Sequence, residues 1–178
     1  MFTPKYRASA LLMAVALGPI AGLAQGPGLG ETLSSEDFEA WDITIMPNGS
    51  GLPSGSGTAV QGELIYAEKC AACHGPNGEG GLNARLVGGE PLTNGIDTGK
   101  IIANFWPYAT TIFDFTRRAM PWLQPRTLTD NEVYALTAYL LAINNIIDEG
   151  DVMNAETLPQ VRMPNRDGFI PRFPDRIP

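Results

Sequence analysis

Cys70, Ala71, Ala72, Cys73 and His74 follow one another in the chain. This C-x-x-C-H spacing is the attachment pattern of a c-type haem. On a helix, positions i, i+3 and i+4 share one face. Two thiols so placed reach the two vinyl groups on one porphyrin edge, and the next residue sets an imidazole under the iron. The small alanines between them leave room for the ring. Three rival chemistries are weaker. A thioredoxin-like redox pair needs no histidine and expects a βαβ setting, for which there is no sign. A structural zinc site wants four ligands, and the whole chain holds two cysteines and one histidine. A disulfide between residues three apart closes a tiny loop and constrains the chain little.

His74 is the only histidine, so one chain cannot supply two imidazoles to the iron. Methionine is the usual alternative as sixth ligand, and it raises the potential. Met46, Met120, Met153 and Met163 lie beyond the leader described below. Three of them precede proline, so Met-Pro does not discriminate. Position favours Met120, between one helix and the capped final helix, where a loop can fold over the distal face. The other three fall in extended stretches. Met163, or an open or water-bound site, remains the alternative. Trp106, Tyr108, Phe113, Phe115 and Trp122 are candidate walls of the pocket, or simply core. Trp106, Tyr108 and Arg85 are candidate donors to the propionates. Arg117 and Arg118 can serve there too, or face solvent.

The elements that position these groups read as helices. The first runs from about Ala59 to Ala72 and stops at Gly75-Pro76-Asn77-Gly78. A Gly-rich loop covers 75–99, and Lys100–Phe105 reads as a helical turn halted before Pro107. Thr110 or Thr111 is read as capping a helix through Ile112–Ala119, ended by Met120-Pro121. Thr129 with Glu132 forms a capping box for the last helix. There Val133, Leu136, Thr137, Leu140 and Leu141 recur at helical spacing, up to Asn144-Asn145. Ser34 or Ser35, with Asp37, caps a short helix near Glu36–Trp41. Residues 46–57 are turn material. Beyond Asp148 the chain is polar and Pro-rich, without a period.

The chain has 178 residues, 44% of them hydrophobic, with 20 glycines and 15 prolines. That suits one core with much irregular structure. Lys5 and Arg7, an apolar run from Ala8 to Ala21, and Gly22-Leu23-Ala24 resemble a secretory leader cut after Ala24. The run is short for a bilayer and contains Pro19, so a retained anchor is the lesser reading. Export to the periplasm follows, with no stable membrane insertion. Removing residues 1–24 leaves 10 basic and 19 acidic residues, a balance of −9. That argues against nucleic acid. Residues 25–59 hold five acids and no base, and residues 152–178 hold four arginines against three acids. These are solvated surfaces, or arms that meet differently charged partners.

The order of helix, C-x-x-C-H, long loop, Met-Pro and capped helix resembles the class I cytochrome c fold. Gly62 and Tyr66 on the first helix, with Tyr139 on the last, resemble that fold's helix contact near the haem. The implied fold is all-α, three to five helices around one covalent haem c, with long irregular N- and C-terminal arms. Its divisions are a signal peptide (1–24), an N-terminal arm (25–58), the cytochrome domain (59–147) and a C-terminal arm (148–178). A closer resemblance covers about residues 36–170. It rests on the strings Leu52-Pro53-Ser54-Gly55-Ser56-Gly57, Arg85-Leu86-Val87-Gly88-Gly89, Phe105-Trp106-Pro107-Tyr108, Arg117-Arg118-Ala119-Met120-Pro121 and Met163-Pro164-Asn165-Arg166-Asp167-Gly168-Phe169. These are similar to the cytochrome c subunit of Sox-type sulfite or sulfane dehydrogenases. The resemblance implies an electron-transfer subunit rather than an enzyme. It would accept electrons from a molybdopterin subunit and pass them to a soluble cytochrome c. It carries haem attachment to Cys70, Cys73 and His74, and the methionine ligand to Met120. The arms then wrap the partner, or stay free and flexible.

Two departures stand out. Some members hold two haems, whereas this chain has one attachment site. Many class I cytochromes place a proline carbonyl behind the proximal imidazole. Here Arg85-Leu86-Val87 falls near that place, which leaves the acceptor for His74 open. A free-standing carrier of another respiratory or photosynthetic chain is the alternative function. An open-site haem enzyme or sensor is a third.

Overall fold

The computed structural model describes residues 30–39, 41–92 and 98–170. The leader read at 1–24 lies outside them. The chain divides into two units, Met1–Trp41 and Asp42–Pro178. The first unit contributes one short helix, α1 (Ser35–Glu39). Its cap is reciprocal: the Ser34 hydroxyl donates to the Asp37 carboxylate at 2.6 Å, and the Asp37 amide donates back to Ser34 Oγ at 3.2 Å.

The second unit carries β1 (Ser56–Thr58), α2 (Ala59–Lys69), α3 (Ala71–His74), α4 (Ile102–Phe105), α5 (Ala109–Ala119), α6 (Asp130–Ile143) and β2 (Val152–Asn154). The centre is α6. Val133 through Ala138, Leu140 and Leu141 are all buried, so this helix is covered on nearly every side. It starts where Thr129 accepts from the Glu132 amide and the Glu132 carboxylate accepts from the Thr129 amide, the capping box read from sequence. Thr58 and Gln61 make a second box at the start of α2, which the sequence reading passed over.

α2 crosses α6 at a glycine. A Cβ at Gly62 would overlap the Ala135 carbonyl, and one at Gly57 would overlap the Ala135 amide. One turn on from Gly62, buried Tyr66 meets Tyr139 at 5.1 Å between ring centroids. α5 presents Ala109, Ile112, Phe113 and Thr116 inward, and Phe113 packs on Tyr134 at 4.4 Å.

Three expectations need correction. The first helix does not run unbroken to Ala72. It ends at Lys69, and Cys70 (φ −123°, ψ −37°) leaves helical geometry before α3 begins. The fifth helix starts at Ala109, with Tyr108 as an uncapped N-cap. Thr110 is buried inside its first turn, because the inward face of α5 begins there. Third, the segment that carries Met153 and Met163 is extended in part, but it is packed on the domain. β2 pairs antiparallel with β1, with Gly57 opposite Met153. Met153, Leu158 and Met163 then enter the core. Upstream, Tyr134 donates to the Pro53 carbonyl at 2.8 Å, and burial pushes its hydroxyl up to about 12.

Two outcomes follow from this packing. Gly62→Ala should cost about 3 kcal/mol, because both colliding groups are backbone and neither can yield; denaturant midpoints check it. Glu132 accepts from Lys69 Nζ at 2.7 Å and from the Thr129 amide, and these bonds, Lys69 first, hold its carboxyl below the ordinary 4.5. A lowered folded pKa gives stability that is present above the unfolded value and lost as pH falls through the folded one. Glu132→Gln should therefore cost about 1 kcal/mol at neutral pH, a modest sum because water screens the pair. The gap to wild type should close as pH drops below 4.5.

Candidate functional site

The break at Cys70 shapes the attachment turn. The Cys70 amide still bonds the Tyr66 carbonyl at 2.9 Å, while the Cys73 and His74 amides both donate to the Cys70 carbonyl. Cys70 and Cys73 are half-buried free thiols. Burial pushes the Cys70 thiol up to about 11, so it is neutral before any bond forms.

His74 Nδ1 lies 2.7 Å from the Ala84 carbonyl. A carbonyl only accepts, so Nδ1 carries the proton and Nε2 keeps its lone pair for a metal. The acceptor behind the imidazole, left open in the sequence, is thus the residue before Arg85. The loop that brings it there is laced back onto the attachment turn. Gly80 N donates to His74 O at 2.8 Å, and Asn83 N donates to Cys73 O at 2.9 Å. The Tyr66 hydroxyl donates to Gly75 O at 2.9 Å. At Gly78 (φ +76°) a Cβ would meet Val87 Cγ2 at 2.6 Å, so only glycine fits this turn. The far end of the loop hangs on Asn144, whose side chain donates to Leu86 O at 3.0 Å and accepts from Gly88 N at 3.1 Å. The sequence showed Asn144 only as a helix stop.

The other candidates fall in two further places. Arg85 is exposed on the loop beside Ala84. Trp106 and Tyr108 are half-buried in the link between α4 and α5. Trp106 meets Phe115 edge-on at 5.6 Å, and the Arg166 guanidinium lies 4.2 Å from the Tyr108 ring centre. Asn165 Nδ2 holds the Phe105 carbonyl at 2.7 Å, so the segment after β2 buttresses this link. Met120 stands at the opposite end of α5 from Tyr108. That helix has 11 residues, roughly 16 Å of rise, so the structure does not bring these two together directly. Met120 is the C-cap (φ −117°, ψ 148°), driven extended by Pro121. It is half-buried, whereas Met153 and Met163 are 4% and 1% exposed within the core. Of the candidate walls, Phe113 is core and Trp122 is largely exposed. Arg117 pairs with Asp130 at 3.1 Å, and Arg118 pairs with Asp114 at 2.6 Å while holding the Ile43 carbonyl at 2.6 Å.

Residues 59–144 match the family model described as Cytochrome c. The chain is also similar to a chain in the crystal structure of the sulfane dehydrogenase SoxCD from Paracoccus pantotrophus. The two are 36% identical, over 85% of this chain and 75% of that one, with a TM-score of 0.75. The chain belongs to the class I cytochrome c family. This cytochrome is all-helical apart from one two-stranded ladder among the described residues, and its cofactor is a covalent haem c. The donor chemistry fits that group: two soft thiols, and an imidazole whose Nδ1 is already bonded. No group of three or more His, Cys, Asp or Glu among the described residues is arranged to hold a bare ion. The cytochrome also resembles the as-isolated thiosulfate dehydrogenase TsdBA from Marichromatium purpuratum. Identity there is 27%, over 60% of this chain and 25% of that one, and the TM-score of 0.37 is too low to carry an argument.

Asn144→Ala should free the far end of the loop. Because the substitution strands the partly buried Leu86 carbonyl, it should cost about 1–2 kcal/mol. Hydrogen exchange at the Gly88 amide should quicken beyond the change in global stability.

Proposed function

We propose that this cytochrome is an exported monohaem electron-transfer subunit. It takes electrons from a molybdopterin subunit that oxidises sulfite or sulfane sulfur, and passes them to a soluble cytochrome c. Cys70 and Cys73 would hold the haem through thioethers, and His74 Nε2 and the Met120 thioether would bind its iron. Arg85, Trp106 and Tyr108 line the group and serve its propionates. When bound, the haem supplies one iron that alternates between Fe(III) and Fe(II), one electron at a time.

The observation that carries this reading is the 2.7 Å bond from His74 Nδ1 to Ala84 O. It fixes the tautomer and the ring orientation, and leaves the Nε2 lone pair free for a metal. The half-buried position of Met120 supports its role, since Met153 and Met163 are already packed in the core. The partner assignment draws on the likeness to SoxCD, which is a sulfane dehydrogenase. Export draws on the leader at residues 1–24. No helix among the described residues is long and apolar enough to cross a membrane.

Optical spectra of oxidised wild type, Met120→Ala and Met163→Ala test the ligand set. A weak band near about 695 nm should be present in wild type and absent from Met120→Ala, whose potential should fall by on the order of 100 mV. Met163→Ala should keep the band and instead lose about 2–5 kcal/mol of stability. A wild type without the band, which binds carbon monoxide rapidly when reduced, would sink the methionine assignment in favour of an open site. Purification from the native host with no molybdenum-containing companion would sink the partner assignment.

A further inference from the structure

The segment after α6 is absorbed into the domain through Met153, Leu158 and Met163. The described part of the first unit is the segment around α1. Leu33 is 59% exposed, Phe38 58% and Trp41 86%. Three large apolar side chains thus stand in solvent within nine residues. Scattered surface apolar residues need no explanation, but a cluster of Trp, Phe and Leu has the composition of a binding hot spot. Its local shape is already set by the reciprocal Ser34–Asp37 cap, which lowers the ordering cost of binding.

Charge selects the occupant. From Glu31 to Asp42 the segment has Glu31, Glu36, Asp37, Glu39 and Asp42, and no basic residue. Residues 42–178 hold 15 acidic against 10 basic residues, a balance of −5, so a second copy of the chain is a repulsive host. An anionic membrane surface or a nucleic acid is repelled in the same way. A protein groove that is apolar at its floor and rimmed by lysine or arginine matches both features.

We propose that residues 31–42 are a docking peptide for the molybdenum-containing subunit, which seats Leu33, Phe38 and Trp41 in such a groove. This rests on the partner reading above. The acids steer the encounter, and the three apolar anchors hold the complex.

The test is purification of the full chain from its native host, as wild type, as Leu33→Ser/Phe38→Ser/Trp41→Ser and as Glu31→Gln/Glu36→Gln. Molybdenum per haem, the identity of the co-eluting chain and the haem spectrum are read together. Wild type should carry about one molybdenum per haem. The apolar variant should weaken the complex at least about 100-fold with its spectrum unchanged. The charge variant should keep the complex but slow its formation at low salt and flatten the salt dependence. An apolar variant that retains molybdenum at the wild-type ratio overturns the docking peptide and leaves the functional reading intact. Wild type without molybdenum overturns the functional reading, and the docking assignment falls with it. A haem-only dimer that the apolar variant dissociates makes a second copy the occupant, and overturns the proposal.

Discussion

Where Gly62 of α2 lies on the Ala135 carbonyl of α6, two helix backbones meet with no side chain between them. The attachment turn depends on that crossing. α2 runs straight from it to Lys69, and Cys70 to His74 follow at once. The crossing therefore fixes where the attachment turn begins, about two helical turns on from Gly62, and the break at Cys70 then redirects it. The crossing is braced on its far side, because Gly57 of β1 approaches Ala135 as closely. Tyr66 joins both tasks. Its ring packs on Tyr139 of α6, and its hydroxyl holds the first carbonyl of the loop that returns to His74.

The strand ladder shows how the domain is closed. β1 is the direct lead-in to α2, and β2 comes from beyond α6 to pair with it. The chain after β2 then crosses to the α4–α5 link, where Asn165, Arg166 and Phe169 meet Phe105 and Tyr108. Residues read as an appendage thus support two walls at once, the crossing and the aromatic link. A small helical domain has little core of its own, and recruiting an extended segment adds buried apolar surface without another helix.

What was legible in the sequence was local. The Thr129–Glu132 box and the Ser34–Asp37 cap are pairs three residues apart, and both formed. The attachment motif is five consecutive residues. α6 was visible because its apolar positions recur at helical spacing. The illegible parts join distant residues or involve the backbone. His74 finds its acceptor in a carbonyl, which every residue has, so no residue type at position 84 could announce it. Asn144 bonds Leu86 and Gly88, more than 50 residues away. The core residues Met153, Leu158 and Met163 are spaced five apart. That matches neither the two-residue period of a strand nor the 3.6 of a helix.

The methionines separate by what their surroundings ask of them. Met153 and Met163 fill interior volume, where a thioether acts as a flexible apolar plug. Met120 is placed by backbone geometry. Pro121 forces it out of α5, and its side chain need not complete a core. The loop it opens is held at both stems. Arg117 of α5 pairs with Asp130 of α6, and the Thr129 cap fixes the start of α6. Arg118 adds a third tether, from the end of α5 to the carbonyl of Ile43. Each surface ion pair is worth little alone. Acting on the two stems of one short loop, they restrict where the Met120 sulfur can go. The Met120 side chain is half-buried and, unlike those of Met153 and Met163, stands outside the core cluster, so its position is set by the frame of the loop rather than by packing.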